Sequence, residues 1–127
     1  MTSITIRECG GRWRLDAAGH ATGSREVCAA VSAIVYALAN YLQTLELEEG
    51  ITAKIFTMRL KSGDTILEAE GGDEVRRAFE LTAAGLARIA ENKKYMPYLW
   101  VTETHLPTAG ELEAEWLAWI ERRCESP

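Results

Sequence analysis

The chain has few cysteines and histidines, and none of them sit close together. Cys9, Cys28 and Cys124 are scattered and form no CxxC pair, and the two histidines, His20 and His105, stand far apart. That excludes a disulfide framework and any site with zinc-ligand spacing, so no metal and no cofactor is expected. The glycine pairs Gly10-Gly11 and Gly71-Gly72 lack the surroundings of a phosphate-cradling loop. The opening MTSITIRECGGRW has no basic stretch leading into an apolar one, which argues against a secretory signal. No uninterrupted apolar run reaches the roughly 18–20 residues that span a bilayer, and the longest, Val27 to Leu38, is broken by Ser32. There is no excess of positive charge either. A net charge of −5 argues against a broad grip on nucleic acid or anionic lipid, so neither is expected as a partner. The expected location is the cytoplasm, where the thiols stay reduced.

What is present reads as one globular domain. The 127 residues, 47% hydrophobic and 26% charged, suffice for a single core, and no linker or repeat divides them. Ile4 and Ile6 alternate with Thr5 and Arg7, and Trp13 and Leu15 with Arg12, Arg14 and Asp16, so two strands flank Gly10-Gly11 as a hairpin. After a small-residue loop, Ser24 is placed to cap a helix over Arg25 to Glu48. Its apolar positions are Val27, Val31, Ile34, Leu38, Tyr41, Leu42 and Leu45, and Gly50 closes it. A second hairpin follows: Ala53 to Leu60, with Phe56, Met58 and Leu60 on one face, turns at Lys61-Ser62-Gly63-Asp64 into Thr65 to Ala69. Asp73 is the expected cap of a second helix that buries Val75, Phe79, Thr82, Leu86 and Ile89. Leu99 to Glu103 is a short strand. Thr108 and Glu111 fit a capping box for a last helix over about 108–124 with Leu112, Trp116, Trp119 and Ile120 in its stripe. The order ββ–α–ββ–α–β–α predicts an α+β two-layer sandwich: a mostly antiparallel sheet of two hairpins and a short strand, covered by two long helices.

The stretch between the first hairpin and the first helix is where chemistry fits. His20 lies in the loop AAGHATGS, next to Gly19, and Cys28 lies eight residues later in the opening turn of the helix. Unpaired amides and the helix dipole favour negative charge there, and helix N-termini favour the thiolate form of a cysteine. A histidine on the adjoining loop can take the thiol proton and return it to a leaving amine. Ser32, one turn after Cys28, shares its face. Taken singly, each residue has a blander reading: a small buried hydrophobe, a solvated imidazole, and a serine bonded to its own helix.

Together they form a pattern. Gly19-His20-Ala21, then Val27-Cys28-Ala29-Ala30-Val31-Ser32-Ala33-Ile34, resembles the signature of the Prp family of ribosomal-processing cysteine proteases, in which GHA precedes a segment close to DIVCAAVSAL. The order of hairpins and helices over about 3–103 is similar too, and the helix at about 108–124 extends beyond it. The resemblance implies a cysteine endopeptidase that removes the N-terminal extension of the precursor of large-subunit ribosomal protein twenty-seven, where the cleaved segment has an aromatic pair followed by alanine. It implies Cys28 as nucleophile, His20 as base, Gly19 and Ser32 as supporting or substrate-binding residues, and a homodimer.

The chain departs from that pattern in a shorter loop between His20 and Cys28, and in Arg25 and Glu26 where the family has aspartate and isoleucine. Arg25, near the sulfur, joins the expected supporting residues because positive charge favours thiolate. Glu26 is a candidate to orient the histidine in place of the missing aspartate. A second reading stays open: a non-catalytic peptide-binding module, or a phage-borne relative with another protein substrate. Asp64, Glu68, Glu70, Asp73 and Glu74 read as a solvated acidic face suited to a basic partner.

Overall fold

In a computed structural model of the chain, the structure describes residues 1–106. The elements run β1 (Thr2–Cys9), β2 (Arg12–Ala18), α1 (Arg25–Leu47), β3 (Ala53–Lys61), β4 (Asp64–Gly71), α2 (Asp73–Glu91) and β5 (Leu99–Leu106). Among the described residues this is the expected α+β arrangement. The final helix expected over 108–124, with Trp116 and Trp119, lies outside the described residues.

The five strands form one sheet in the order β3-β4-β2-β1-β5. Both hairpins are antiparallel, and β2 joins them by pairing antiparallel with β4. β5 instead runs parallel to β1, with Ile4 opposite Val101, and it continues three residues beyond the expected end at Glu103. The sheet is therefore mixed. A strand that returns after a helix packed on the sheet arrives in the same direction as its neighbour.

One face of the sheet carries the core. Ile4, Ile6, Trp13, Leu15, Leu67 and Ala69 are buried beneath α1 and α2. On α1 the buried stripe is Val27, Val31, Val35, Leu38, Leu42 and Leu45, at the 3–4 spacing of a helix resting on a sheet. Val35 is buried beside Ile34, which is half-buried and also packs against the core, and Tyr41 points outward at 46% exposure. By length and composition α1 is apolar enough to cross a membrane, more so than the broken run Val27 to Leu38 implied, because its outward positions are mostly small and neutral. In this fold its buried stripe lies on the sheet. On α2, Phe79 is fully buried and stacks on Trp13 with ring centroids 5.6 Å apart.

Local details correct three expectations. Glu48, in an extended conformation, ends α1, and Gly50 turns the chain two residues later. Gly72 rather than Asp73 is the N-cap of α2. Asp73 sits inside the first turn, where its charge complements the helix dipole and pairs with Arg76 at 3.1 Å. A bulge between Ile55 and Thr57 shifts the phase of β3. Ile55, Met58 and Leu60 consequently pack on the core, while Phe56 turns out beneath the Arg12 guanidinium, 4.2 Å from the ring centroid.

The other face of the sheet is charged yet buried. Arg14 is fully inaccessible, and Asp16, Ile66 and Glu68 are nearly so. Arg14 Nε lies 3.0 Å from Asp16 Oδ2, and Glu68 receives Arg12 Nε at 3.3 Å and Arg14 Nη1 at 3.7 Å. The Thr57 hydroxyl donates to Glu68 at 3.4 Å. Glu68 thus leaves the solvated acidic group expected from sequence. Asp64 is tied to Arg59 at 3.0 Å.

Candidate functional site

The site is built where four segments meet: the loop after β2, the first turns of α1, the β3–β4 turn and the N-terminus. Ser24 caps α1 as expected, its hydroxyl accepting from the Val27 amide at 3.3 Å. The Cys28 amide donates to the Ser24 carbonyl at 3.3 Å, the first bond of the helical ladder. Any anion held by this helix start must therefore use the first amides, those of Arg25 and Glu26, and not the amide of Cys28 itself. The turn before the helix is closed by the Ser24 amide donating to the Ala21 carbonyl at 3.0 Å. Ala21 is buried and anchors the loop, and its carbonyl oxygen is also the partner of Cys28 Sγ at 3.8 Å.

Cys28 is exposed, whereas Cys9 is only partly so, and both are free thiols. Cys28 and Ser32 border two recesses at once. One is a cavity of about 270 Å³ lined by Gly19, His20, Val31, Val35, Tyr36 and the turn from Leu60 to Thr65. The other is a more open recess of about 760 Å³ lined by Ala21, Gly23, Ser24, Arg25 and Ala29. The sulfur stands on the ridge between them. All five residues expected from sequence lie on this surface: Gly19 and His20 in the cavity, Arg25 in the open recess, Cys28 and Ser32 in both.

His20 is exposed and shares the cavity with Cys28, but no hydrogen bond joins the two in this state. The imidazole lies instead over Gly63 of the β3–β4 turn, where a Cβ on that glycine would come within 2.5 Å of Nε2. The loop is held from behind. Gly19 has φ +86, and a Cβ there would meet the Met1 carbonyl oxygen at 2.5 Å, so only glycine fits.

Glu26 does not orient the histidine. Its carboxylate accepts from the Tyr95 hydroxyl at 2.7 Å and pairs with Lys94 at 3.5 Å, tying the start of α1 to the segment before β5. The Tyr95 hydrogen bond first, and the Lys94 charge second, hold the Glu26 carboxyl below its usual range. The same hydrogen bond pushes the Tyr95 hydroxyl up. The signs define a window. A depressed carboxyl stabilises the fold above its ordinary value of 4.5 and loses that contribution as pH falls through the folded value. A raised tyrosine contributes below its ordinary value of 10.0 and loses that contribution as pH rises through the folded one. Thermal unfolding of wild type and Glu26→Gln should therefore differ throughout the range from pH 4.5 to pH 10.0, and converge only as pH falls through the folded carboxyl value or rises through the folded tyrosine value. The difference should be small and shrink with salt, because the cluster is exposed.

Sequence reasoning missed Tyr36 and the Leu60–Thr65 turn. Tyr36 lies two helical turns after Cys28 on the same face, so the spacing that marked Ser32 marks it as well. The turn was recognised only as a turn, since its proximity to His20 depends on sheet pairing.

These features define a class: an α+β domain that presents an exposed thiol in the first turns of a sheet-packed helix, with a loop histidine in the same cavity, which is the layout of a cysteine peptidase. The family model of the cysteine protease Prp matches residues 1–97. The chain belongs to the Prp cysteine protease family. Solved structures agree on the fold. The essential ribosomal processing protease Prp of S. aureus, in complex with a covalently linked product peptide, superposes with a TM-score of 0.63 at 19% identity, covering 81% of this chain and 99% of that one. SMU.848 from Streptococcus mutans gives 0.57 at 21% identity, covering 84% and 99%. The S. aureus protease in complex with a substrate peptide gives 0.53 at 16%, covering 81% and 99%. No curated protein matches the chain.

Proposed function

We propose that the protein is a cysteine endopeptidase that trims the N-terminal extension of a ribosomal protein precursor, the precursor of large-subunit ribosomal protein twenty-seven. One observation supports this above the others: Cys28 is exposed on a ridge between two recesses and shares one of them with His20. The S. aureus relatives carry a substrate peptide and a covalently linked product peptide, which suits a peptide laid across this ridge.

In this reading Cys28 Sγ attacks the scissile carbonyl carbon, its proton passing to His20. The first amides of α1, on Arg25 and Glu26, face the charge developing on the carbonyl oxygen. His20 returns the proton to the leaving amine, and water then hydrolyses the thioester. Because no bond joins His20 to Cys28 beforehand, the imidazole closes on the sulfur when peptide fills the cavity. A homodimer and a cytoplasmic location complete the proposal, resting respectively on the family resemblance and on the free thiols Cys9 and Cys28.

The test is a synthetic peptide spanning the precursor's cleavage region, with its products read by mass spectrometry. Two fragments from a single cut in the segment that carries the aromatic pair and alanine are expected. Before substrate is added, iodoacetamide should label Cys28 about tenfold faster than Cys9 near neutral pH and stop cleavage in proportion to labelling. Tight binding of the intact peptide without fragments would instead identify a non-catalytic peptide-binding module.

A further inference from the structure

The geometry points to Gly63 as a positioning residue: its bare α-carbon is a seat for the His20 imidazole, and a side chain there would displace the base and slow bond cleavage without weakening peptide binding. This rests on the reading of His20 as general base. Three observations converge on the seat. A Cβ on Gly63 would lie 2.5 Å from Nε2, 2.8 Å from Cε1 and 3.2 Å from Cδ2, so the ring itself occupies the space that every other residue fills. The Gly19 amide donates to the Gly63 carbonyl at 3.0 Å, fastening the residue before His20 to the same turn. On the opposite side of the loop, the Met1 carbonyl blocks retreat at Gly19. An exposed loop imidazole would otherwise sample several rotamers. Here it is confined at the cavity wall that it shares with Cys28.

The consequence is kinetic. A base that no longer rests at this wall must approach Cys28 from another place, and misplacing a catalytic group by about 1 Å costs on the order of 100-fold in rate. Gly63→Ala should lower kcat by about 10- to 100-fold and leave KM within about twofold. Gly63 has φ +74, so alanine there also carries a backbone penalty, which a control must match. Gly50 has φ +81 and open space around its would-be Cβ, so Gly50→Ala carries the same penalty and touches nothing. Gly63→Asn, which tolerates positive φ better, introduces a side chain at the seat if the alanine variant folds poorly.

The readout that separates positioning from stability is the His20 Cε1 proton resonance, assigned by its loss in His20→Ala. It should shift in both Gly63 variants and stay unchanged in Gly50→Ala. A Gly63 variant with a shifted resonance and reduced kcat supports the seat. The idea is overturned if resonance and kcat in Gly63→Ala and Gly63→Asn match those in Gly50→Ala. It is overturned equally if the resonance moves and kcat does not. In either of those cases, cleavage by His20→Ala shows separately whether the base reading fails as well: loss of cleavage there keeps the base and removes only the seat.

Discussion

Cys28→Ala should reduce kcat/KM for the precursor peptide by at least about 10³-fold and leave the fold intact, since removing the nucleophile of a thiol or serine protease leaves only the contribution of binding and oxyanion contacts. The side chain is exposed and, among the described residues, its hydrogen-bond contact is the long one to the Ala21 carbonyl, so the melting temperature should hardly change. His20→Ala should lose activity to a similar degree. The double variant should be no worse than either single one, because nucleophile and base act as a unit. Cys9→Ala is the internal control: another free thiol, removed without effect on rate. Steady-state cleavage of one peptide by wild type and the four variants is the measurement. Retention of activity in Cys28→Ala would end the assignment of this thiol, whatever the family.

The site was legible to the extent that it is local. Gly19-His20-Ala21 and the run from Val27 to Ile34 place loop histidine, helix cap and thiol within fifteen or so residues, close enough for spacing along one helix to set their relative positions. What escaped depends on contacts far apart in sequence. The seat of His20 on Gly63 exists because β2 pairs with β4, which brings the β3–β4 turn beside the end of β2, where Ala18 faces Asp64. Glu26 shows the same limit in reverse. Its position beside Cys28 suggested an orienting carboxylate, but the partner that claims it, Tyr95, is sixty-nine residues away.

For the fold, period and punctuation located both hairpins and both described helices, because apolar alternation and helical stripes are properties of each element alone. The parallel pairing of β5 with β1 was not legible, since direction follows from how α2 crosses the sheet. Nor was the bulge at Phe56, which inverts the apparent phase of β3 without any glycine or proline to announce it. The largest misreading came from charge. Arg14, Asp16 and Glu68 alternate with core residues as a solvent-facing set does, and alternation alone cannot tell a wet face from a covered one.

That buried charge carries the second large effect. Glu68→Ala should destabilise the protein by about 3–5 kcal/mol, the usual cost of breaking a buried ion pair from one side. Glu68 compensates two guanidinium groups, Arg12 at 3.3 Å and Arg14 at 3.7 Å, and accepts from Thr57 at 3.4 Å, with its side chain only 3% exposed. Arg14 keeps Asp16 at 3.0 Å, so the loss falls on the sharing of its charge and on the space left between β3, β4 and β2. Domains of this size lose about 3–5 °C in melting temperature per kcal/mol, so the expected drop is about 10–20 °C. Glu68→Gln, which keeps the shape and an acceptor for Thr57, should fall between. Glu70→Ala is the control. It lies two residues along the same strand and on the same face, but exposed, and should stay within about 0.5 kcal/mol of wild type. Equal stability of Glu68→Ala and Glu70→Ala would show that the network is dispensable. The opposite result would show that the second face of the sheet is organised by ion pairs as firmly as the first is by Trp13 and Phe79. Because Glu68 lines neither recess, the folded fraction of Glu68→Ala should cleave peptide at the wild-type rate below its transition, which separates this effect from that of Cys28→Ala.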